Sequence, residues 1–347
     1  VGLIRNKLTL GSKKIEDLAT LPLMTDPYKL ASMRILIAVI PAAFMANPML
    51  FPLIVFKMVA LSLQYGNSSL SAFGYANYGM LLCGVLNDID SGYQFGKLAV
   101  KLVEQFDARE LKAKIDFFFN AFIRHWKEHS KETTQPLLET FQSGLETGDI
   151  EFACYAAYGY ALYPFWSGEA LESLVNKQTK YIEVMLSHKM HTLSEHGKMW
   201  HQMILNLLDK ADDKCRLVGQ QFDEDKTLPI FIEAQNYSVI AYFYVLKSIL
   251  FYLFKDYFHA VEKARLTEKY RESLGALMHL AQHNFYYSLS LLAHYPNASK
   301  TEQKQYLKQV AANQKQMKKW AYHAPTNFQN KYDLVEAEKA RVLGKEL

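Results

Sequence analysis

Apolar residues recur three and four positions apart along nearly the whole chain, and this spacing constrains its fold more than any other feature. Phe95, Leu98, Ala99, Leu102 and Phe106 are one such run, and on a helix they fall on a single stripe. No run of period two is sustained, and no Asn-Gly or Asp-Gly pair marks a hairpin. With only 10 prolines and 16 glycines in 347 residues, the chain lacks the turn residues that an all-β protein needs. The spacing predicts an all-α protein.

The pattern reads as helix, short turn, helix, repeated. Asp26-Pro27 starts a helix to about Ala46, and Pro48 opens the next, ending near Gly66. Further helices are expected over Ser71–Leu86, Ser91–Phe106, Glu110–Ser130, Glu132–Ser143, Asp149–Tyr163, Ser167–Leu186 and His191–Leu208. Beyond Pro229 they run over Ile232–Phe254, Asp256–Leu274, Leu277–His294, Ser299–Trp320 and Asn327–Leu343. Residues 212–229 are charged and without period, which predicts an N-terminal sub-bundle over 1–211, a charged loop, and a C-terminal sub-bundle over 230–347. One continuous solenoid is the alternative.

The pairs carry a repeat. Tyr75, Tyr78, Gly79 and Leu82, then Gly92, Phe95, Gly96 and Ala99, follow the tetratricopeptide order of large and small residues. Tyr244, Phe251, Tyr257 and Ala260 repeat it, and Asp149 to Leu174 is a weaker copy. Gly79, Gly92, Ala99 and Ala260 would let paired helices approach closely. Such units bury their apolar faces only against neighbours. The expectation is a right-handed superhelix of stacked antiparallel helix pairs, a tetratricopeptide-like α-solenoid with a concave binding face.

Ile35 to Phe56 is free of charge for 22 residues, enough to span a bilayer. Pro41, Asn47, Pro48 and Pro52 interrupt it, so two buried helices explain the run better than one span. No signal peptide is present. Cys83, Cys154 and Cys215 are odd in number and far apart, which predicts buried thiols in a reducing, cytoplasmic setting. A net charge of +4, spread evenly, gives no case for nucleic acid. The Val1-Gly2 start suggests a segment of a longer protein.

Residues 186–196, LSHKMHTLSEH, look like the phosphoacceptor box of a sensor kinase. An acidic neighbour should follow the reactive histidine, yet Lys189 follows His188, and the helix-bending proline is missing. His188, His191 and His196 therefore read as residues near a helix–helix turn. His279 and His283, like His125 and His129, have the four-residue spacing of zinc ligands, but no further ligand is suggested. Asp88 and Asp90 read as turn caps, and Ser143-Gly144 and Ser167-Gly168 as caps and turns. No nucleotide loop occurs and no cofactor is implied. The aromatics around Phe117 and Tyr158 sit among alanine and glycine, as core residues do. Lys304, Lys308, Lys315, Lys318 and Lys319 stud one helix as a solvated or anion-docking face. The groove expected to take a partner or ligand is near Asn120, Arg124, His125 and Trp126, where an aromatic sits among basic groups. The rival reading is an enzyme segment acting by phosphotransfer through His188 or by metal-dependent hydrolysis through His279 and His283.

Four long stretches carry a family resemblance: GVLNDIDSGYQFGKLAVKLVEQF (84–106), FNAFIRHWKEH (119–129), PLLETFQSGLETGDIEFACYAAY (136–158) and VAANQKQMKKWAYHAPTNFQNKYDLVEAEKARVLG (310–344). The chain, from about Thr25 to Gly344, resembles the helical region of multidomain sensor kinases of cyanobacterial type. That family's order is a serine/threonine kinase, an AAA-type ATPase, a tetratricopeptide-like helical region, a GAF domain and a histidine kinase. The resemblance implies a non-catalytic scaffold or sensor segment. Its partners would be domains of the same polypeptide, a signalling protein, or a peptide or small molecule in the groove. The family's catalytic motifs lie outside the matching region.

Overall fold

A computed structural model describes residues 2, 6, 10, 11, 13–46 and 49–345. Among the described residues there is no strand, only isolated bridges from Leu23 to Asn67 and from Val218 to Asp223. The helices are α1 (Pro27–Ala46), α2 (Leu50–Tyr65), α3 (Ser69–Gly84), α4 (Ile89–Gln105), α5 (Arg109–Phe118), α6 (Thr134–Thr147), α7 (Ile150–Trp166) and α8 (Leu171–Ser187). They continue as α9 (His191–Leu207), α10 (Glu224–Glu233), α11 (Tyr237–Leu253), α12 (Tyr257–Glu268), α13 (Met278–His294), α14 (Lys300–His323) and α15 (Pro325–Val342). The apolar run from Ile35 is divided between α1 and α2, and its Asn47-Pro48 restart lies outside the described residues. No described helix is long and apolar enough to cross a membrane.

The chain divides into two compact units, residues 1–127 with 135–156, and 128–134 with 157–347. In the first, α2 packs on α3, α3 on α4, and α4 on α5. Its core gathers Met58, Tyr75, Leu82, Phe95, Leu102 and Ile115. In the second, α8 pairs with α9, and α11 to α15 pack each on the next; α11 also meets α13, and α13 meets α15. Val261, Leu292, Tyr306, Val310 and Val335 lie in one of its clusters. Each such side chain, fully buried, favours the fold by about 1.5–3 kcal/mol. The charged 212–229 stretch, expected as the divider between sub-bundles, falls inside the second unit.

Side-chain caps start several helices. Asp26 accepts from the amides of Tyr28 and Lys29 at 2.8 and 3.2 Å, while Ser299 and Glu302 form a reciprocal box at the start of α14. Five of the junctions share one geometry. The last connecting residue before the cap is left-handed at Asn87, Asp107, Lys189, Gln235 and Lys255 (φ 53, 45, 60, 53 and 67). The caps that follow, Asp88, Ala108, Met190, Asn236 and Asp256, all have φ between −97 and −78 and ψ between 60 and 75. In four of the five, the cap amide bonds back five residues, as Ala108 does to the Val103 carbonyl at 2.9 Å. Two of these turns, at Asn87 and Lys255, lie within stretches that the side-chain pattern pairs, while the Asp149–Leu174 stretch turns differently, at Gly168.

The small residues act as their positions implied. A Cβ on Gly79 would lie 2.6 Å from the Gly92 carbonyl oxygen, and one on Gly92 would lie 2.7 Å from that of Gly79. The α3 and α4 backbones touch directly. Gly144, by contrast, is no cap: it lies within α6, where a Cβ would meet Ala153 at 2.8 Å.

Two other expectations are corrected. The helix expected to run from Glu110 to Ser130 stops at Phe118, gives way to a π-turn over Phe119–Ile123, and then to a 3-10 turn over Arg124–Trp126. The widened turn sets both Phe119 and Ile123 against Gly96, and Ile123 also against Gly79. Residues 212–223 form the expected loop, held by contacts, but the loop ends at Glu224 rather than at Pro229. Asn206 Nδ2 donates to the carbonyls of Asp213, Lys214 and Arg216, and Lys247 Nζ donates to both Glu224 oxygens at 2.9 Å and to the Cys215 carbonyl. From Glu224 the chain is already helical, with Asp223 capping the Asp225 amide at 3.1 Å.

Candidate functional site

Asn120, Arg124, His125 and Trp126 do come together, at the π-turn of the first unit. Asn120 Nδ2 donates to the Asp116 carbonyl at 2.8 Å, Arg124 Nη1 donates to Asn120 Oδ1 at 3.2 Å, and Trp126 Nε1 donates to the Phe122 carbonyl at 3.0 Å. His125 leans on Trp126 with ring centroids 4.7 Å apart. Asn120, His125 and Trp126 are 5%, 1% and 0% exposed; they brace the turn from within, and Arg124, half-buried, is the one with surface to offer. Lys127 completes the turn by an ion pair with Asp90 at 2.6 Å.

Beside this turn, α4, α5 and α6 enclose a cleft of about 470 Å³. Glu104, Asp107, Asp116, Glu139 and Glu146 line it, against the cations of Arg109 and Lys112. Lys112 pairs with Asp116 at 2.6 Å and Arg109 with Asp107 at 3.0 Å. Burial holds the Asp116 carboxyl above the usual carboxylate range; Lys112 opposes this, and Glu104 and Glu139 add to it. The cleft therefore carries an excess of negative charge that a basic segment would neutralise. Each carboxylate is unremarkable in the sequence. Only the packing of three helices brings them to one place.

The histidines separate into different roles. His188 and His191 are exposed at the turn between α8 and α9. His196 packs its ring on Tyr158 and Tyr242, and burial pushes its pKa down to about 4. His279 and His283 share α13 but not a ligand position. His283 Nε2 meets Glu268 Oε1 at 2.6 Å. His279 is enclosed by Trp166, Trp200 and Tyr242, with centroids at 5.8, 5.4 and 4.7 Å, and burial lowers its pKa to about 3. His125 and His129 are not on one helix, since the chain leaves α5 before either. Among the described residues no three His, Cys, Asp or Glu side chains gather as a metal ion requires. Cys83 and Cys154 are buried, Cys215 half-buried, and all are free thiols. Lys304, Lys308, Lys315, Lys318 and Lys319 lie along α14, and all five are exposed.

No family model matches the chain. Over 156 residues, 44% of its length, it is 28% identical to Hybrid signal transduction histidine kinase G of Dictyostelium discoideum. The likeness is to a signal-transduction kinase. The chain spans only a small fraction of that protein, the matched stretch being 4% of its length.

Proposed function

We propose that this chain is a non-catalytic helical-repeat segment of a cytoplasmic signal-transduction kinase, in which stacked pairs form a right-handed, tetratricopeptide-like superhelix. It binds a partner and couples an ATPase module to sensor and kinase output by biasing neighbouring domains between two arrangements. The similarity to a hybrid signal transduction histidine kinase carries this reading. The recurring junction geometry supports it, because a stack of like units is how helical repeats build recognition surfaces. The acidic cleft between α4, α5 and α6 is the face assigned to the partner, whose complementary chemistry is a basic segment.

The test is made in the full-length parent kinase. Replacing Glu104, Glu139 and Glu146 with lysine should abolish the dependence of autophosphorylation on signal, while the helical circular dichroism of the 347-residue chain is retained. Arg124→Ala examines the π-turn without opening the core, which truncating the fully buried Trp126 would do. Unchanged switching in the charge-reversed kinase, or phosphate incorporation by the purified chain alone, would overturn the reading.

A further inference from the structure

The second unit contains a polar pocket of about 170 Å³ that the sequence pattern did not suggest. It is assembled from four stretches remote in sequence. Asn327, at the start of α15, accepts from the Ser130 amide at 2.9 Å and donates to the Glu128 carbonyl at 2.7 Å. Ser130 Oγ in turn meets Ser167 Oγ at 3.0 Å, just after α7. Gln282 from α13 and Asn330 and Lys331 from α15 complete the wall.

Three observations point to a ligand. Gln282 is only 4% exposed and lines the pocket, yet its amide has no hydrogen-bonding partner among the described residues. Its amide atoms are not sealed from solvent, so they open onto the pocket as free hydrogen-bonding groups. Lys331 sends its ammonium to the Asn327 carbonyl at 3.1 Å and lies 5.8 Å from the Phe285 ring centroid. No aspartate or glutamate lines the pocket, so the positive charge has no counter-charge there. Finally, Thr326 and Asn327, from the first turn of α15, reach the pocket, and no side chain caps that turn. Partial burial lowers the Lys331 pKa.

We infer that this pocket binds a small oxyanion, a carboxylate- or phosphate-bearing molecule, held by Lys331, Gln282, Asn330 and the start of α15. Its polar wall offers hydroxyl and amide groups that can donate, no carboxylate, and one lysine that supplies one positive charge. Its volume is below the roughly 300–1,000 Å³ of sites for drug-sized ligands, which fits a simple organic acid or inorganic phosphate better than a nucleotide. The pocket shares no residue with the acidic cleft, so binding here and signal switching there succeed or fail separately.

The test is calorimetric titration of the full chain with sodium acetate and with inorganic phosphate, at constant ionic strength. Saturable binding of at least one is expected, and the arm that binds names the group. Lys331→Met should weaken it at least tenfold. Asn330→Asp, an exposed position where folding is not at stake, should weaken it similarly by placing a carboxylate at the wall. Absence of saturable binding of both probes would overturn the inference, as would affinity unchanged in both variants, or unchanged in Asn330→Asp should Lys331→Met not fold.

Discussion

Replacing Gly92 with alanine sets two effects of opposite sign against each other. Alanine is the better helix former by about 1 kcal/mol at an interior position, so propensity alone predicts a more stable α4. The added methyl, however, would stand 2.7 Å from the Gly79 carbonyl oxygen, about 0.7 Å inside ordinary van der Waals contact. That oxygen belongs to the backbone of α3 and has no rotamer by which to withdraw. The helices must move away from each other, which loosens contacts along their whole interface, and overpacking of this sort costs about 1–3 kcal/mol or more. The net expectation is destabilisation by about 1–2 kcal/mol, the overpacking outweighing propensity. Gly197→Ala is the matched control. There the methyl would meet Ile182 Cγ1 at 2.9 Å and Met185 Cε at 3.1 Å, side-chain atoms that can move, so the change should lie within about 1 kcal/mol of zero. Urea unfolding followed by circular dichroism measures both as shifts in midpoint at constant slope. A Gly92→Ala chain as stable as the parent, or less damaged than Gly197→Ala, would refute the direct backbone contact.

Two further outcomes follow from buried polar groups. Glu224→Gln should cost about 3–5 kcal/mol by stranding an ammonium, because the side chains of Lys247 and Glu224 are only 5% and 13% exposed. The double replacement Glu224→Leu with Lys247→Met should recover much of that in chemical denaturation, and a single variant within about 0.5 kcal/mol of the parent would dismiss the pair. His279 predicts an acid-sensitive fold. Its pKa falls from 6.5 to about 3 on folding, so the stability gained by keeping it neutral is whole above pH 6.5 and is lost as pH falls towards 3. By pH 5 the loss is about 2 kcal/mol, since the unfolded chain then binds the extra proton. The buried His196, with its pKa lowered to about 4, titrates over the same range. His279→Phe should therefore make the stability profile between pH 6.5 and 5 about half as steep, and an unchanged profile would show that this ring is not a titrating group.

Much of the helix order is legible in the sequence because its signals are local. Asp26, Asp256 and Ser299 mark starts by capping, and three- and four-residue spacing carries each helix to its end. What was not legible depends on residues far away. The break after Phe118 places Phe119 and Ile123 against Gly96, and Ile123 also against Gly79, partners remote in sequence. The order of 212–223 comes from Asn206 and Lys247, which no local pattern connects to it. The site residues fared likewise. Aromatic and basic side chains around Trp126 looked like a groove, but an aromatic among cations has the same pattern whether it faces water or the core, and Trp126 is fully buried. The acidic cleft joins three helices and the pocket around Lys331 four segments, and a linear reading has no means of bringing these together.

The shared bend between helices has a consequence for how such a chain can change its length. Asn87, Asp107, Lys189, Gln235 and Lys255 each accept a left-handed backbone without being glycine, at about 1–2 kcal/mol apiece, and the bonds that close the corner come from its own few residues. The corner therefore carries its angle with it. A rod added or deleted together with its corner leaves the remaining corners as they were, so growth by whole units asks for no redesign of the joints.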